Sequence, residues 1–213
     1  MSADTRIVVM AKAPSPGFAK TRLIPALGPH GAASLASRML QHTLDAALGA
    51  GTGTVELCAA PDPGDPAWQH VTVPPGVVRS AQGTGDLGAR MGRAAQRACS
   101  HGARVLLIGT DCPALSATHL QGAAAALDHN DATLLPTFDG GYALLGLRAV
   151  HASLFENMPW STPIVASETL RRADQLGWRV KLLATLHDID EPADLQWLPP
   201  SWLADLRVAT DAK

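Results

Sequence analysis

The most apolar run in the chain is also one of the shortest. Arg104-Val-Leu-Leu-Ile108 has no polar residue after its first position and stops at Gly109. A membrane span needs about 18 apolar residues, so this run cannot be one. Bounded by turn-forming residues, it reads as a strand buried on both faces. Arg6-Ile-Val-Val-Met10 has the same form. Strands apolar on both faces belong inside a parallel sheet covered by helices on each side, and that constraint organises the rest of the chain.

Further strands are expected at Val55–Ala59, Val77–Gln82, Ala132–Pro136, Tyr142–Leu147 and Arg179–Leu186. Helical spacing runs from Pro29 to Gly49, where proline suits a first turn and glycine an end. A second helix, capped by Asp86, reaches about Cys99, and others cover Ser116–Asp128 and Pro163–Leu176. Pro192–Trp197 opens a terminal helix, with Asp190 as its expected cap. Strands alternate with helices, and two consecutive strands occur late, flanking Asp139-Gly140-Gly141. The expectation is one α/β domain over residues 1–213, a three-layer sandwich with a mostly parallel sheet and one antiparallel strand.

Composition narrows the partners. Seventeen basic against nineteen acidic residues give a net charge of −2, whereas nucleic-acid binding asks for a basic excess. The apolar run at Ile7–Met10 is too short for a signal peptide. A cytoplasmic protein with no nucleic-acid or membrane partner is expected. The three cysteines, Cys58, Cys99 and Cys112, form no Cys-x-x-Cys, so neither a disulfide framework nor a zinc site is expected. Cys112 reads as a small buried residue rather than a nucleophile.

Ligands of open α/β sheets bind beyond the carboxyl ends of the strands. The segment after the first strand, Ala11 to Leu23, carries Lys12, Lys20 and Arg22 together with Pro14, Pro16 and Gly17. It lacks the Gly-Lys-Ser/Thr ending of a Walker loop. Its cations and backbone N–H groups, Gly17 among them, still suit a nucleotide's di- or triphosphate. After the third strand, Gly83 and Gly85 allow close backbone approach, and the Gln82 amide could read a base edge.

After the fourth strand comes Asp111. Ser116 lies nearer the next helix and takes the capping role, which leaves Asp111 to hold a divalent cation that bridges phosphates. Asp188 and Asp190 share one face of an extended segment. With Asp190 as a cap, Asp188 would complete a metal site with Asp111, neither carboxylate then being needed by the metal-free fold. Asp139 is a turn residue or a general base. Tyr142, the only tyrosine, offers its hydroxyl to an acceptor. Trp160 reads as core or ligand platform, and Ser161 or Thr162 as a helix cap. Tyr142, Trp160 and Ser161 are the candidate acceptor contacts.

Together these segments resemble the GT-A-like nucleotide-diphospho-sugar transferase superfamily over nearly the whole chain. The carriers are Met10-Ala11-Lys12-Ala13-Pro14, Lys20-Thr21-Arg22-Leu23, Gly109-Thr110-Asp111-Cys112-Pro113, Asp139-Gly140-Gly141-Tyr142, Trp160-Ser161-Thr162 and Asp188-Ile189-Asp190. They resemble a bacterial group of small glycosyltransferases associated with radical-SAM and selenocysteine-containing proteins, the arsenosugar-biosynthesis type. The chain is also similar to the 2-phospholactate and molybdenum-cofactor guanylyltransferases. Thr110 and Cys112 flank Asp111 where many glycosyltransferases have Asp-x-Asp.

The resemblance implies glycosyl transfer from a nucleotide sugar to a small-molecule acceptor, with Mg²⁺ or Mn²⁺. Lys12, Gly17, Lys20, Arg22, Gln82 and Gly83 would bind the nucleotide, Asp111 and Asp188 the metal, and Asp139 and Lys20 would act in catalysis. The alternatives are nucleotidyl transfer from an NTP, releasing pyrophosphate, and a non-catalytic nucleotide-binding regulatory domain.

Overall fold

In a computed structural model, residues 4–100 and 102–203 are described. The expected domain limits at 1 and 213 lie outside the described residues. Seven strands form one sheet: β1 (Thr5–Lys12), β2 (Val55–Ala60), β3 (Val77–Ala81), β4 (Arg104–Ile108), β5 (Ala132–Pro136), β6 (Tyr142–Leu147) and β7 (Val180–Leu182). Their order is β3-β2-β1-β4-β6-β5-β7. All neighbours pair in parallel except β6, which is antiparallel to both β4 and β5. The apolar run that looked buried on both faces, β4, is the central strand.

Alternation along the strands separates two cores. Ile7, Val9 and Ala11 pack with Leu40, Leu44 and Ala47 of α1 (Ile24–Ala50) and with Leu120 and Ala123 of α3 (Ala117–Ala126). Val8, Val105 and Leu107 face the other way, against Met91, Ala94 and Ala95 of α2 (Leu87–Cys99) and Ala166 and Ala173 of α4 (Val165–Gln175). The result is the expected three-layer sandwich. A third cluster seats Ile189, Leu198 and Trp202 on Leu23, Leu35 and Met39. That cluster ties the end of the chain to α1. No helix among the described residues is long and apolar enough to cross a membrane.

The expected caps at Asp86 and Ser116 are present: each side chain accepts from a backbone N–H in the first turn, Ala89 N at 2.8 Å and His119 N at 3.5 Å. Other boundaries differ. One helical turn precedes the kink at Gly28 (φ 68°), a backbone conformation open to glycine, and the regular helix resumes at Pro29. The helix runs one residue past Gly49, to Ala50, with Gly51 left-handed behind it. β7 is three residues long, not eight, although Leu186 still pairs with Thr137 in an isolated bridge. Residues Pro192–Trp197 form a 3₁₀ helix, stopped by Pro199 and Pro200.

Gly146 in β6 is closely packed between β4 and β5. A β carbon there would fall 2.4 Å from Thr133 Cγ2 and 2.8 Å from Leu106 Cδ2, and both of those residues are fully buried. Gly146→Ala should therefore lower the unfolding free energy by about 1–3 kcal/mol, measured by urea titration. An unchanged midpoint would show that the core layer holding Leu106 and Leu127 is looser than described.

Candidate active site at the carboxyl edge of the sheet

A cleft of about 660 Å³ opens over the carboxyl ends of β1 and β4. The β1–α1 loop contributes Lys12, Phe18, Lys20 and Arg22, and the β3–α2 turn Gln82, Gly85, Asp86 and Arg90. Thr110 and Asp111 follow β4, Asp139 and Tyr142 come from the β5–β6 turn, and Trp160, Ser161 and Asp190 close the wall. A recess of about 160 Å³ shares Asp111, Asp139, Tyr142 and Asp190 with this cleft and adds Cys112, Thr137 and Asp188.

Lys20 is not on an exposed loop. Its backbone is left-handed (φ 49°), which turns the side chain inward to only 8% exposure. Its ammonium uses all three donors, on Asp111 Oδ1 at 2.5 Å, Asp190 Oδ1 at 2.9 Å and the Ile189 carbonyl at 2.5 Å. Burial alone would lower its pKa, but the two carboxylates reverse that and hold it above its ordinary value. Ile189 is itself fully buried and donates its N–H to the Asp111 carbonyl at 2.8 Å. The acid segment is thus pinned to the end of β4 from both sides.

This arrangement corrects two expectations. Asp190 is not a helix cap, and it shares the Lys20 ammonium with Asp111. Asp194 takes the capping role, accepting from the N–H groups of Asp190 and Glu191 at 3.0 and 2.7 Å. Nor is Asp111 dispensable to the metal-free fold, since it neutralises a buried ammonium. Among the described residues no three His, Cys, Asp or Glu side chains converge as a metal-binding cluster.

Asp188 lies in the recess beside these groups. Burial first, then the charges of Asp139, Asp190 and Asp194, push its pKa up to about 6. Asp139 is a turn residue as expected: its Oδ1 accepts from Thr137 Oγ1 at 2.6 Å and from Gly141 N at 2.8 Å. No hydrogen bond reaches its Oδ2 among the described residues. The site therefore assembles the acids proposed from sequence, together with Asp190.

The cations and the loops divide differently. Lys12 is exposed, and Arg22, 63% exposed, reaches Asp190 and Glu191 only at 4.0 and 3.9 Å. Both remain available to an anion. Gln82 does not offer its amide nitrogen to a base, because that nitrogen donates to the Ala11 and Cys58 carbonyls, both at 3.0 Å. Gly83 and Gly17 do not line the cleft, whereas Gly85, Asp86 and Arg90 do. Arg93, which no sequence pattern singled out, fastens the β3–α2 turn by donating to the carbonyls of Gln82 and Thr84.

The Tyr142 hydroxyl, beside the Thr169 hydroxyl, and the Trp160 indole N–H are both buried. The hydroxyl is therefore not presented on the cleft surface, and burial pushes its pKa well above the usual phenol value. Ser161 is exposed and left-handed (φ 61°). Neither it nor Thr162 caps α4, since Thr162 Oγ1 donates to the Pro159 carbonyl at 2.6 Å. Cys112 is the inert residue expected. It is 4% exposed, its Sγ donates to the His187 carbonyl, and burial pushes the thiol up to about 11.

Residues 43–162, more than half of the chain, match the family described as "uncharacterized protein conserved in bacteria (DUF2064)". The chain belongs to that family. A candidate nucleotide-diphospho-sugar transferase of Desulfovibrio desulfuricans G20 is 30% identical, with a TM-score of 0.87 over 99% of this chain and 96% of that one. Two more distant structures share the fold. A nucleotidyl transferase of Methanothermobacter is 20% identical, with a TM-score of 0.61 over 94% of this chain and 98% of its own. The 4-diphosphocytidyl-2C-methyl-D-erythritol synthase of Anaerococcus prevotii is 13% identical, with a TM-score of 0.62 over 97% and 100%. No curated protein matches the chain.

Two outcomes follow for this DUF2064 chain. Lys20→Met keeps the aliphatic stem but leaves Asp111 and Asp190 facing each other, and should cost roughly 1.5–3 kcal/mol in chemical denaturation. A wild-type midpoint would show that the ammonium does not hold the two segments. Asp188 supplies the second test. Its folded pKa lies above the unfolded value of 3.8, so its contribution to stability is complete below that value and lost as pH rises through about 6. Asp188→Asn should melt higher than wild type at pH 7 without added metal, and the gap should close by pH 4. A gap independent of pH would contradict the assigned environment.

Proposed function

We propose that the chain is a transferase acting on nucleotide substrates, which moves a sugar from a nucleotide-sugar donor to a small acceptor with Mg²⁺ or Mn²⁺ held beside the nucleotide. The observation that carries the proposal is the division of charge in the cleft. Lys12 and Arg90 line it on the side of β1 and α2, and Arg22 stands between them and the acids, 4.0 Å from Asp190. Asp111, Asp139, Asp188 and Asp190 line the recess on the other. A diphosphate sits over the cations, and the group to be transferred then lies towards the acids. The 30% identity to a candidate nucleotide-diphospho-sugar transferase supports the same reading.

Asp111, through the carboxylate oxygen not bonded to Lys20, and Asp188 line one recess and would hold a divalent cation. Mg²⁺ commonly takes one or two carboxylates and completes its shell with phosphate oxygens and water. That ion, when bound, would supply positive charge for the leaving diphosphate. The chain's own contribution comes from Lys12 and Arg22, whose free charges stabilise the negative charge that grows on the diphosphate. Asp139 is held by Thr137 and Gly141 through one oxygen, which leaves the other to take the proton of an acceptor hydroxyl. Lys20 is a positioning residue, because its bonds are spent on the two acids.

Nucleotidyl transfer from an NTP to a phosphorylated or sugar acceptor is the alternative, and a phosphorylated acceptor would set an anion against the carboxylates of the recess. Glycosyl transfer uses the acids as they stand. Calorimetric titration of UDP-, GDP- and CDP-sugars and of the matching triphosphates, each with Mn²⁺, tests the choice. A preference for a nucleotide sugar is expected. Arg22→Ala should weaken its binding about tenfold, one charge-assisted bond's worth. Asp139→Asn should lower turnover by roughly 10²–10⁴ with nucleotide affinity kept. A preference for triphosphates with release of pyrophosphate would establish the nucleotidyl alternative, and binding without turnover a regulatory domain.

A further inference from the structure

Three aromatic rings are stacked outside the recess. The Phe138 and His187 centroids lie 4.1 Å apart with planes at 18°, and those of His187 and Trp197 lie 3.9 Å apart with planes at 7°. The stack joins the β5–β6 turn, the acid segment and the 3₁₀ helix at Pro192–Trp197. Its outer members, Phe138 and Trp197, are 64% and 52% exposed. Removing apolar surface from water is therefore only part of what the stack does.

Its place in the chain points to the rest. Phe138 immediately precedes Asp139, and His187 immediately precedes Asp188. Both acids line the recess, and none of the three rings does. Successive side chains of an extended backbone point to opposite sides, so His187 stacks outside while Asp188 faces in. The two acids feel each other: after burial, the charge of Asp139 is the next cause of the raised pKa of Asp188. Like charges separate unless something holds them. The nearby cations serve other acids, Lys20 pairing with Asp111 and Asp190, and Arg22 with Asp190 and Glu191. Among the described residues neither Asp139 nor Asp188 makes an ion pair.

The backbone brings the two segments side by side. Phe138 donates its N–H to the Leu186 carbonyl at 3.2 Å, and Leu186 donates to the Pro136 carbonyl at 3.1 Å. Both bonds end at Leu186, and the ring stack continues the tie to the level of the acids. On its far side the turn rests on α4. The Gly140 carbonyl accepts from Ala166 N at 2.9 Å, and a β carbon on Gly140 would fall 2.0 Å from the Pro163 carbonyl oxygen.

We infer that His187, clasped between Phe138 and Trp197, is a positioning residue, and that the stack holds Asp139 and Asp188 together in the recess against their mutual repulsion. Rings suit this task better than a cation. A lysine between the acids would neutralise them, as Lys20 does for Asp111 and Asp190. Stacked rings leave both charges to a ligand's proton or cation. The clamp stands on the geometry of the protein alone, and only its effect on turnover rests on the transferase reading.

The experiment is a double-mutant cycle in melting temperature at pH 8 without added metal, where Asp188 carries its charge. Asp188→Asn relieves repulsion and should raise the melting temperature of wild type. In His187→Ala the acids are free to separate, so the same substitution should gain roughly half as much, the charges of Asp190 and Asp194 still acting on Asp188. His187→Phe keeps a stacked ring and should restore the full gain. Phe138→Ala changes an exposed position and should repeat the effect of His187→Ala, which keeps the test open if the latter does not fold. The same gain in every background would make the stack a plain stabiliser and overturn the clamp. So would a His187→Phe variant that behaves like His187→Ala. Steady-state kinetics on a nucleotide sugar follow. Both alanine variants should lose roughly 10–10²-fold in kcat with KM kept, and His187→Phe should recover it. Unchanged kcat in the alanine variants of an active enzyme would remove the positioning role. A wild type inactive on every nucleotide sugar would remove the transferase reading, and the melting cycle would still decide the clamp.

Discussion

One buried ammonium holds the carboxyl edge of this sheet together. Lys20 leaves the β1–α1 loop in a left-handed turn and reaches Asp111 at the end of β4 and Asp190 near the end of the chain. Without it, two carboxylates would face each other across a narrow gap. With it, segments 169 and 170 residues apart in sequence are bonded to one nitrogen. The backbone contributes a second tie, since Ile189 donates to the Asp111 carbonyl and buries its side chain against α1. A charge pair with half-exposed acids adds modest stability by itself. Its larger effect is geometric, because it fixes where the acids of the recess stand relative to the exposed cations.

That geometry gives the cleft two ends of opposite sign. Lys12 and Arg22 are exposed where Lys20 is buried: the three cations come from one stretch of chain and differ in burial. At the other end, Asp139 is oriented by its own turn, and Asp188 retains its proton well above the usual carboxylate range.

The fold was legible because its signals are local. The central strands are short apolar runs, and Asp86 and Ser116 cap the helices that follow them. The single antiparallel strand followed from two consecutive strands around Asp139-Gly140-Gly141. The site was legible in its residue types and less so in its pairings. Lys20 looked like one of three equivalent cations, since nothing in its neighbourhood announces a partner so far along the chain. Gln82 looked like a base reader because its turn has the right glycines, yet its amide nitrogen bridges the ends of β1 and β2. Asp190 looked like a cap until Asp194, four residues later, proved to be the better placed acceptor. In each case the competing reading was tertiary, and local pattern carries no information about it.

Nitrogen-15 NMR of the lysine side chains addresses the buried ammonium directly. The chain has only four lysines, Lys12, Lys20, Lys181 and Lys213, so their side-chain resonances are few enough to assign by substitution. The account requires one ammonium, absent in Lys20→Met, whose protons exchange slowly with water and which stays protonated at a pH where the others have titrated. Removing Asp111 or Asp190 should speed that exchange. Four lysines that exchange rapidly and titrate together would mean that Lys20 is an exposed loop cation after all, and that something else holds the acids in place.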